Sequence, residues 1–143
     1  MIWLNPVKYG EILYCLFPYD LVSREPAPEP HFVMVIGFKD IDGIPVKLKV
    51  VYGTSKKIDD VRDTELLVDK TTCKKFDETG LTKPTKFQFR NSIELEYTDK
   101  FFISQRDKTS PYCGKIDFNS EPMLFQRMIS VTENLAKINK TKF

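Results

Sequence analysis

Apolar positions along the chain recur first at a spacing of two and, only near the end, at a spacing of three and four. "GEILYCLF" (Gly10 to Phe17), "HFVMVIGF" (His31 to Phe38) and "VKLKVVYG" (Val46 to Gly53) are rich in β-branched and aromatic residues, as strands are. The third sets Val46, Leu48 and Val50 against Lys47 and Lys49, which predicts one buried and one solvated face. Between the second and third runs, "KDIDGIP" carries Asp42-Gly43, a dipeptide suited to the tight turn of a hairpin. "TELLVD" (Thr64 to Asp69) predicts a short edge strand. "KFQFRNSIELEY" (Lys86 to Tyr97) alternates through Phe87, Phe89, Ile93, Leu95 and Tyr97, "KFFIS" is expected to continue that sheet, and "YCGKID" (Tyr112 to Asp117) is the last strand.

From Asn119 the period changes. Leu124, Met128, Val131, Leu135 and Ile138 fall on one stripe of a helix predicted over 119–140. Asn119 or Ser120 suits its cap and Pro122 its first turn, while Lys137 and Lys140 complement the carboxyl end of its dipole. Many short strands, a hairpin and one terminal helix predict a mainly β (α+β) chain: a small barrel of strongly bent antiparallel strands closed by a C-terminal helix.

At 143 residues, with 41% hydrophobic and 29% charged, the chain fits a single domain, 1–143, able to bury a core without metal or disulfides. No apolar run approaches the roughly 20 residues needed to span a bilayer, and the start "MIWLNPVKYG" lacks the pattern of a signal peptide, so a cytoplasmic protein with no membrane contact is expected. Cys15, Cys73 and Cys113 are far apart, with a single histidine to join them, which argues against a zinc site. Cys15 reads as a buried small hydrophobe. Neither metal nor cofactor is expected. Net charge is only +2, but it is unevenly spread: acids gather at Asp59, Asp60, Asp63, Glu65 and Asp69, bases from Lys70 to Arg90. Solvated surface charge is the plain reading of this dipole.

One segment breaks the economy of short connections. "PYDLVSREPAPEP", Pro18 to Pro30, holds four of the nine prolines, and loops of this length inside compact domains tend to be functional. It ends at His31, the sole histidine, whose ordinary pKa near 6.5 suits proton exchange at neutral pH. A hairpin brings the start of its first strand beside the end of its second. His31 is therefore expected near "YGTSKK", where Thr54 and Ser55 offer hydroxyls and Lys56 and Lys57 positive charge to a phosphate.

These motifs, in order, resemble the MazF/PemK toxins of bacterial toxin-antitoxin systems: "GEILYCLFP", the long loop, "HFVMVIG", "VVYGTSKK", "GLTKPTKFQF" and "CGKIDFNSEPMLFQRMI" before the helix. The resemblance covers nearly the whole chain. It implies an SH3-like β-barrel, usually a homodimer, acting as a metal-independent endoribonuclease that cuts single-stranded RNA and stops translation, with an antitoxin peptide covering its groove. Thr54 falls on the family's catalytic threonine, and Lys83 to Thr85 on its Lys-Pro-Ser segment. His31 stands at the position of the family's catalytic arginine, and Phe32 at that of the following proline. Two readings follow: histidine replaces the arginine, or cleavage has been lost.

Cleavage of RNA without metal needs a base, an acid, and donors for the charge that builds on phosphorus-bound oxygens. The expected roles are proton transfer by His31, phosphate orientation by Thr54 and Ser55, and charge stabilisation by Arg24 of the loop with Lys56. Glu25 or Glu29 is the second candidate for proton transfer, while Lys57, Lys83 and Thr85 are expected to bind substrate. Phe32, Tyr52 and Tyr19 are candidates for base stacking. The alternative is a non-enzymatic binding protein on the same barrel, acting like a gyrase poison or by sequestering a host factor.

Overall fold

A computed structural model describes residues 1–141 of the chain. Within them six strands form one antiparallel sheet: β1 (Glu11–Cys15), β2 (His31–Ile41), β3 (Ile44–Thr54), β4 (Glu65–Val68), β5 (Thr85–Glu96) and β6 (Tyr112–Lys115), followed by helix α1 (Pro122–Thr141). The spatial order is β4-β5-β3-β2-β1-β6. The sheet curls into a half-barrel, and the helix packs against β4 and β5. β2 and β3 are the predicted hairpin: Ile41 pairs with Ile44, and Asp42 and Gly43 both take positive φ, 52° and 81°, as the twist-matching two-residue turn requires.

The curl explains why "HFVMVIGF" is apolar without interruption. Both faces of the central strands are covered. Ile12, Met34 and Val51 join Leu66, Phe87, Phe89 and the helix residues Leu124, Met128 and Val131 in one core. Leu13, Cys15, Val33, Val35, Leu48 and Val50 join Leu95, Tyr97, Phe101 and Phe102 in the other. Alternate residues of one strand thus enter different cores, the signature of a strand buried on both sides. The second core is roofed by the N-terminal segment, where the Trp3 N–H donates to the Tyr97 carbonyl at 3.2 Å and its indole Nε1 to the Phe102 carbonyl at 2.7 Å. "KFFIS" does not extend the sheet as expected. Its Phe102 makes one isolated bridge to Cys15, because the two phenylalanines turn inward as core rather than alternating.

α1 packs by the predicted stripe: Leu124 is 1% exposed, Met128 6% and Val131 5%, each side chain worth roughly 1.5–3 kcal/mol of burial. Its start differs from expectation. Asn119 and Ser120 belong to a preceding short turn capped by Asp117, whose carboxylate accepts from the Asn119 N–H at 3.1 Å and the Ser120 hydroxyl at 2.9 Å. The helix opens at Pro122, after Glu121, whose carbonyl accepts the Phe125 N–H at 2.9 Å. The Glu121 carboxylate turns inward instead, taking the N–H groups of Lys74 and Lys75, each at 2.9 Å. Burial acts to raise its pKa, but these hydrogen bonds win and hold it low. The Lys140 side chain lies outside the described residues.

The far edge of the sheet is closed by a contact between backbones. A Cβ placed on Gly80 would stand 2.2 Å from the Cys113 carbonyl oxygen, and one on Gly114 would stand 2.3 Å from the Thr79 carbonyl carbon. Gly80, with φ of +76°, ends the 3-10 turn Phe76–Thr79, and Gly114 lies in β6. Each glycine makes room for the other's neighbour.

A candidate phosphate-binding cleft at the strand ends

β2 and β3 pair Val33 with Tyr52; continuing that register sets His31 opposite Thr54. On the other side of β3, Thr54 pairs with Lys86 of β5, which draws in the segment before it. His31, Thr54, Ser55, Lys56, Lys83 and Thr85 consequently line one cleft of about 420 Å³. Tyr14 and Phe32, with ring centroids 5.5 Å apart, contribute aromatic surface to it. Six of the residues expected from sequence thus converge.

The close approach of β2 and β5 to β3 depends on Gly53. A Cβ there would lie 2.7 Å from the Phe32 carbonyl oxygen and 2.8 Å from the Phe87 ring. The hydroxyls are oriented locally: Thr54 Oγ1 accepts the Lys56 N–H at 3.1 Å, a turn in which the side chain replaces a backbone acceptor. The Ser55 and Thr85 hydroxyls lie 3.5 Å apart, and Thr85 donates to the Lys83 carbonyl at 3.0 Å.

His31 is half-buried, with Nδ1 3.3 Å from the Tyr52 hydroxyl and the two rings 4.9 Å apart. Burial lowers its pKa below the usual imidazole value; the Lys56 ammonium lowers it further, and Glu29 opposes both. At neutral pH the imidazole is uncharged, fit to accept a proton rather than to replace a guanidinium. Tyr52 is a stacking candidate by sequence, and its hydroxyl also meets the imidazole; burial raises the pKa of that hydroxyl, and Thr54 acts against the rise. The spacing of two between Tyr52 and Thr54 puts both on one face of β3, the face that His31 meets across the hairpin.

The other predicted residues lie elsewhere. Arg24, at φ of 57°, donates to the Glu94 carbonyl and lines a separate recess with Lys47 and Lys100. It does not line the cleft, because the loop folds back with the Ala27 N–H on the Leu16 carbonyl at 3.2 Å and carries the guanidinium away. Glu25 is exposed and is not in the cleft lining; Glu29 acts on His31 only through its charge. Lys57 lines a third recess, of about 510 Å³, with Arg62 and Arg90.

Beside the cleft is a charged pair that departs from the expectation of solvated surface charge. Glu65 and Lys86 meet at 3.2 Å with side chains only 6% and 5% exposed. The Lys86 ammonium also donates to the carbonyls of Lys57 at 3.0 Å and Asp60 at 2.8 Å, which satisfies all three of its hydrogens. Glu65 accepts from the Arg62 N–H at 2.9 Å and from Gln88 at 2.8 Å. Burial acts to raise the Glu65 pKa, and these donors with Lys86 overcome it to hold the carboxyl low. The pair pins the loop after Thr54 against β4 and β5.

Burial raises the thiol pKa of Cys15, and pushes those of Cys73 and Cys113 up to about 12, so none is a thiolate nucleophile at neutral pH. Among the described residues no helix is long and apolar enough to cross a membrane. Neither a protein-family model nor a curated protein matches this chain.

Proposed function

We propose that the protein is a metal-independent endoribonuclease acting on single-stranded RNA, of the MazF/PemK toxin type on an SH3-like barrel. The observation that carries this reading is the convergence of His31, Thr54, Ser55, Lys56, Lys83 and Thr85 on one cleft. Hydroxyls and ammonium groups there suit a phosphodiester, and the neutral imidazole suits a 2′-hydroxyl. In the proposed step His31 takes the 2′-hydroxyl proton as the 2′-oxygen bonds to phosphorus. The bond from phosphorus to the 5′-oxygen breaks, and Lys56 protonates that oxygen. Thr54 and Ser55 orient the phosphate, and Lys83 offsets the charge that develops on its oxygens. The products are a 2′,3′-cyclic phosphate and a 5′-hydroxyl. The homodimer and the antitoxin peptide belong to the same proposal.

The test is incubation of pure protein with single-stranded RNA in EDTA, with end-group analysis of the fragments. Cyclic-phosphate ends that vanish in Thr54→Ala support the reading; RNA left intact by the wild type rejects it. One observation favours a second reading, a binding protein on the same barrel: Arg24 is tied to Glu94, and no arginine lines the cleft. Growth arrest on induction with cellular RNA left intact would select it.

A further inference from the structure

Two tyrosines flank His31: Tyr52, and Tyr19 of the long loop, whose ring stands edge-on to the imidazole at 6.5 Å. Both also line a second cavity, of about 190 Å³, together with Phe17, Leu21 and Asn91. Tyr19 is 66% exposed and Leu21 40%, although an exposed aromatic and aliphatic pair held beside a polar cleft has no packing role in either core. We propose that this cavity is a slot for one unpaired nucleobase of the strand whose phosphate lies at Thr54 and Ser55, an inference that rests on the single-stranded RNA reading above.

Three features converge on a base as the occupant. The volume falls below the ~300–1,000 Å³ of pockets for drug-sized ligands, which suits one planar ring system. Its walls are aromatic, as stacking platforms for single strands are, and Phe17 and Tyr52 support one another with centroids 5.2 Å apart. At its rim Asn91 presents an amide, the group that pairs with base edges, held by donation to Gln88 Oε1 at 2.9 Å. Asn91 also lines the recess that contains Lys57, Arg62 and Arg90, so a strand leaving the slot would meet cations suited to its next phosphate. The long loop thereby gains a role, since it carries Tyr19 to the side of His31.

Uncleavable 2′-O-methyl hexamers provide the test. In one series 2-aminopurine occupies each position in turn, and in a second an abasic residue does. The expected result is quenching at one position only, with an abasic residue there weakening binding by about ten- to a hundredfold. Tyr19→Ala should abolish both effects and Tyr19→Phe should keep them. Equal binding by every abasic hexamer would overturn the slot while leaving strand binding intact. Failure of every hexamer to bind would overturn both, and binding of an aromatic peptide but of no hexamer would assign the cavity to a protein partner.

Discussion

His31 and Lys86 lie in one row across the sheet, on either side of Thr54, yet their polar atoms are satisfied in opposite ways. The Lys86 ammonium has three acceptors, one of them the Glu65 carboxylate, and is sealed from water. The imidazole of His31 has one long contact, to Tyr52 at 3.3 Å, and opens on a cleft. A group whose bonds are complete has nothing left to offer a ligand; its effect is on stability. A group with bonds to spare has little to hold and is available for chemistry. The lesson is that charge at the end of a strand marks a site only where its hydrogen-bonding capacity is unspent.

The sharpest way to break this comparison is at the lysine. Lys86→Met leaves the Glu65 carboxylate buried without its cation and should cost about 3–5 kcal/mol, measured by urea denaturation. A loss below about 1 kcal/mol would mean that the pair is solvated and the contrast with His31 void. His31→Ala is the mirror experiment: cleavage should fall by about 10²- to 10⁴-fold, while the urea midpoint stays close to that of the wild type. A large shift in that midpoint would make His31 structural. Gly53→Ala bears on both sides, since the added carbon meets Phe32 and Phe87. Forced overpacking of this kind costs about 1–3 kcal/mol, and cleavage should fall with it, read in parallel by denaturation and RNA fragment yield.

Smaller effects follow from pH. A carboxyl held low in the fold stabilises it above the unfolded pKa, near 4.3 for glutamate, and this contribution is lost as pH falls through the folded value. Glu65 and Glu121 are both of this kind, so the melting temperature should drop on acidification below about pH 4. The drop should be shallower in Glu65→Gln, and an equal slope in the two proteins would remove Glu65 from the account. For His31 the lowered pKa keeps the base form down to a lower pH than free imidazole allows, so kcat/KM should hold its plateau below about pH 6.5. A plateau ending above that value would place a positive imidazole in the site.

Much of this fold was legible because its elements are periodic. Alternation along "VKLKVVYG", the Asp42-Gly43 turn and the stripe from Leu124 to Val131 each report a local geometry that the residues themselves prefer. The convergence of His31 with Thr54 followed from the hairpin. What stayed hidden depends on where separate segments meet. Nothing local distinguishes Lys86 from a solvated lysine, since its acceptors are the Glu65 carboxylate of another strand and two carbonyls of the loop before it. Nor does the sequence around Arg24 say that the loop folds back on Leu16. Asn119 and Ser120 suit a helix start, but Asp117 captures them for a turn because it stands three residues before Ser120. The double role of Tyr52 is half visible in the sequence: its ring suits stacking, and its hydroxyl acquires a partner only beside an imidazole from another strand.

The crossing of Gly80 and Gly114 sets the limits on how this protein can change. Two segments more than thirty positions apart are fitted together by hydrogen atoms where every other residue type has carbon, so no compensating substitution at one can repair a change at the other. Random mutagenesis should therefore leave this pair bare of tolerated variants. The half-barrel is shut by a fastening with no side chain in it, one that natural variation has no means of tightening and many ways to undo.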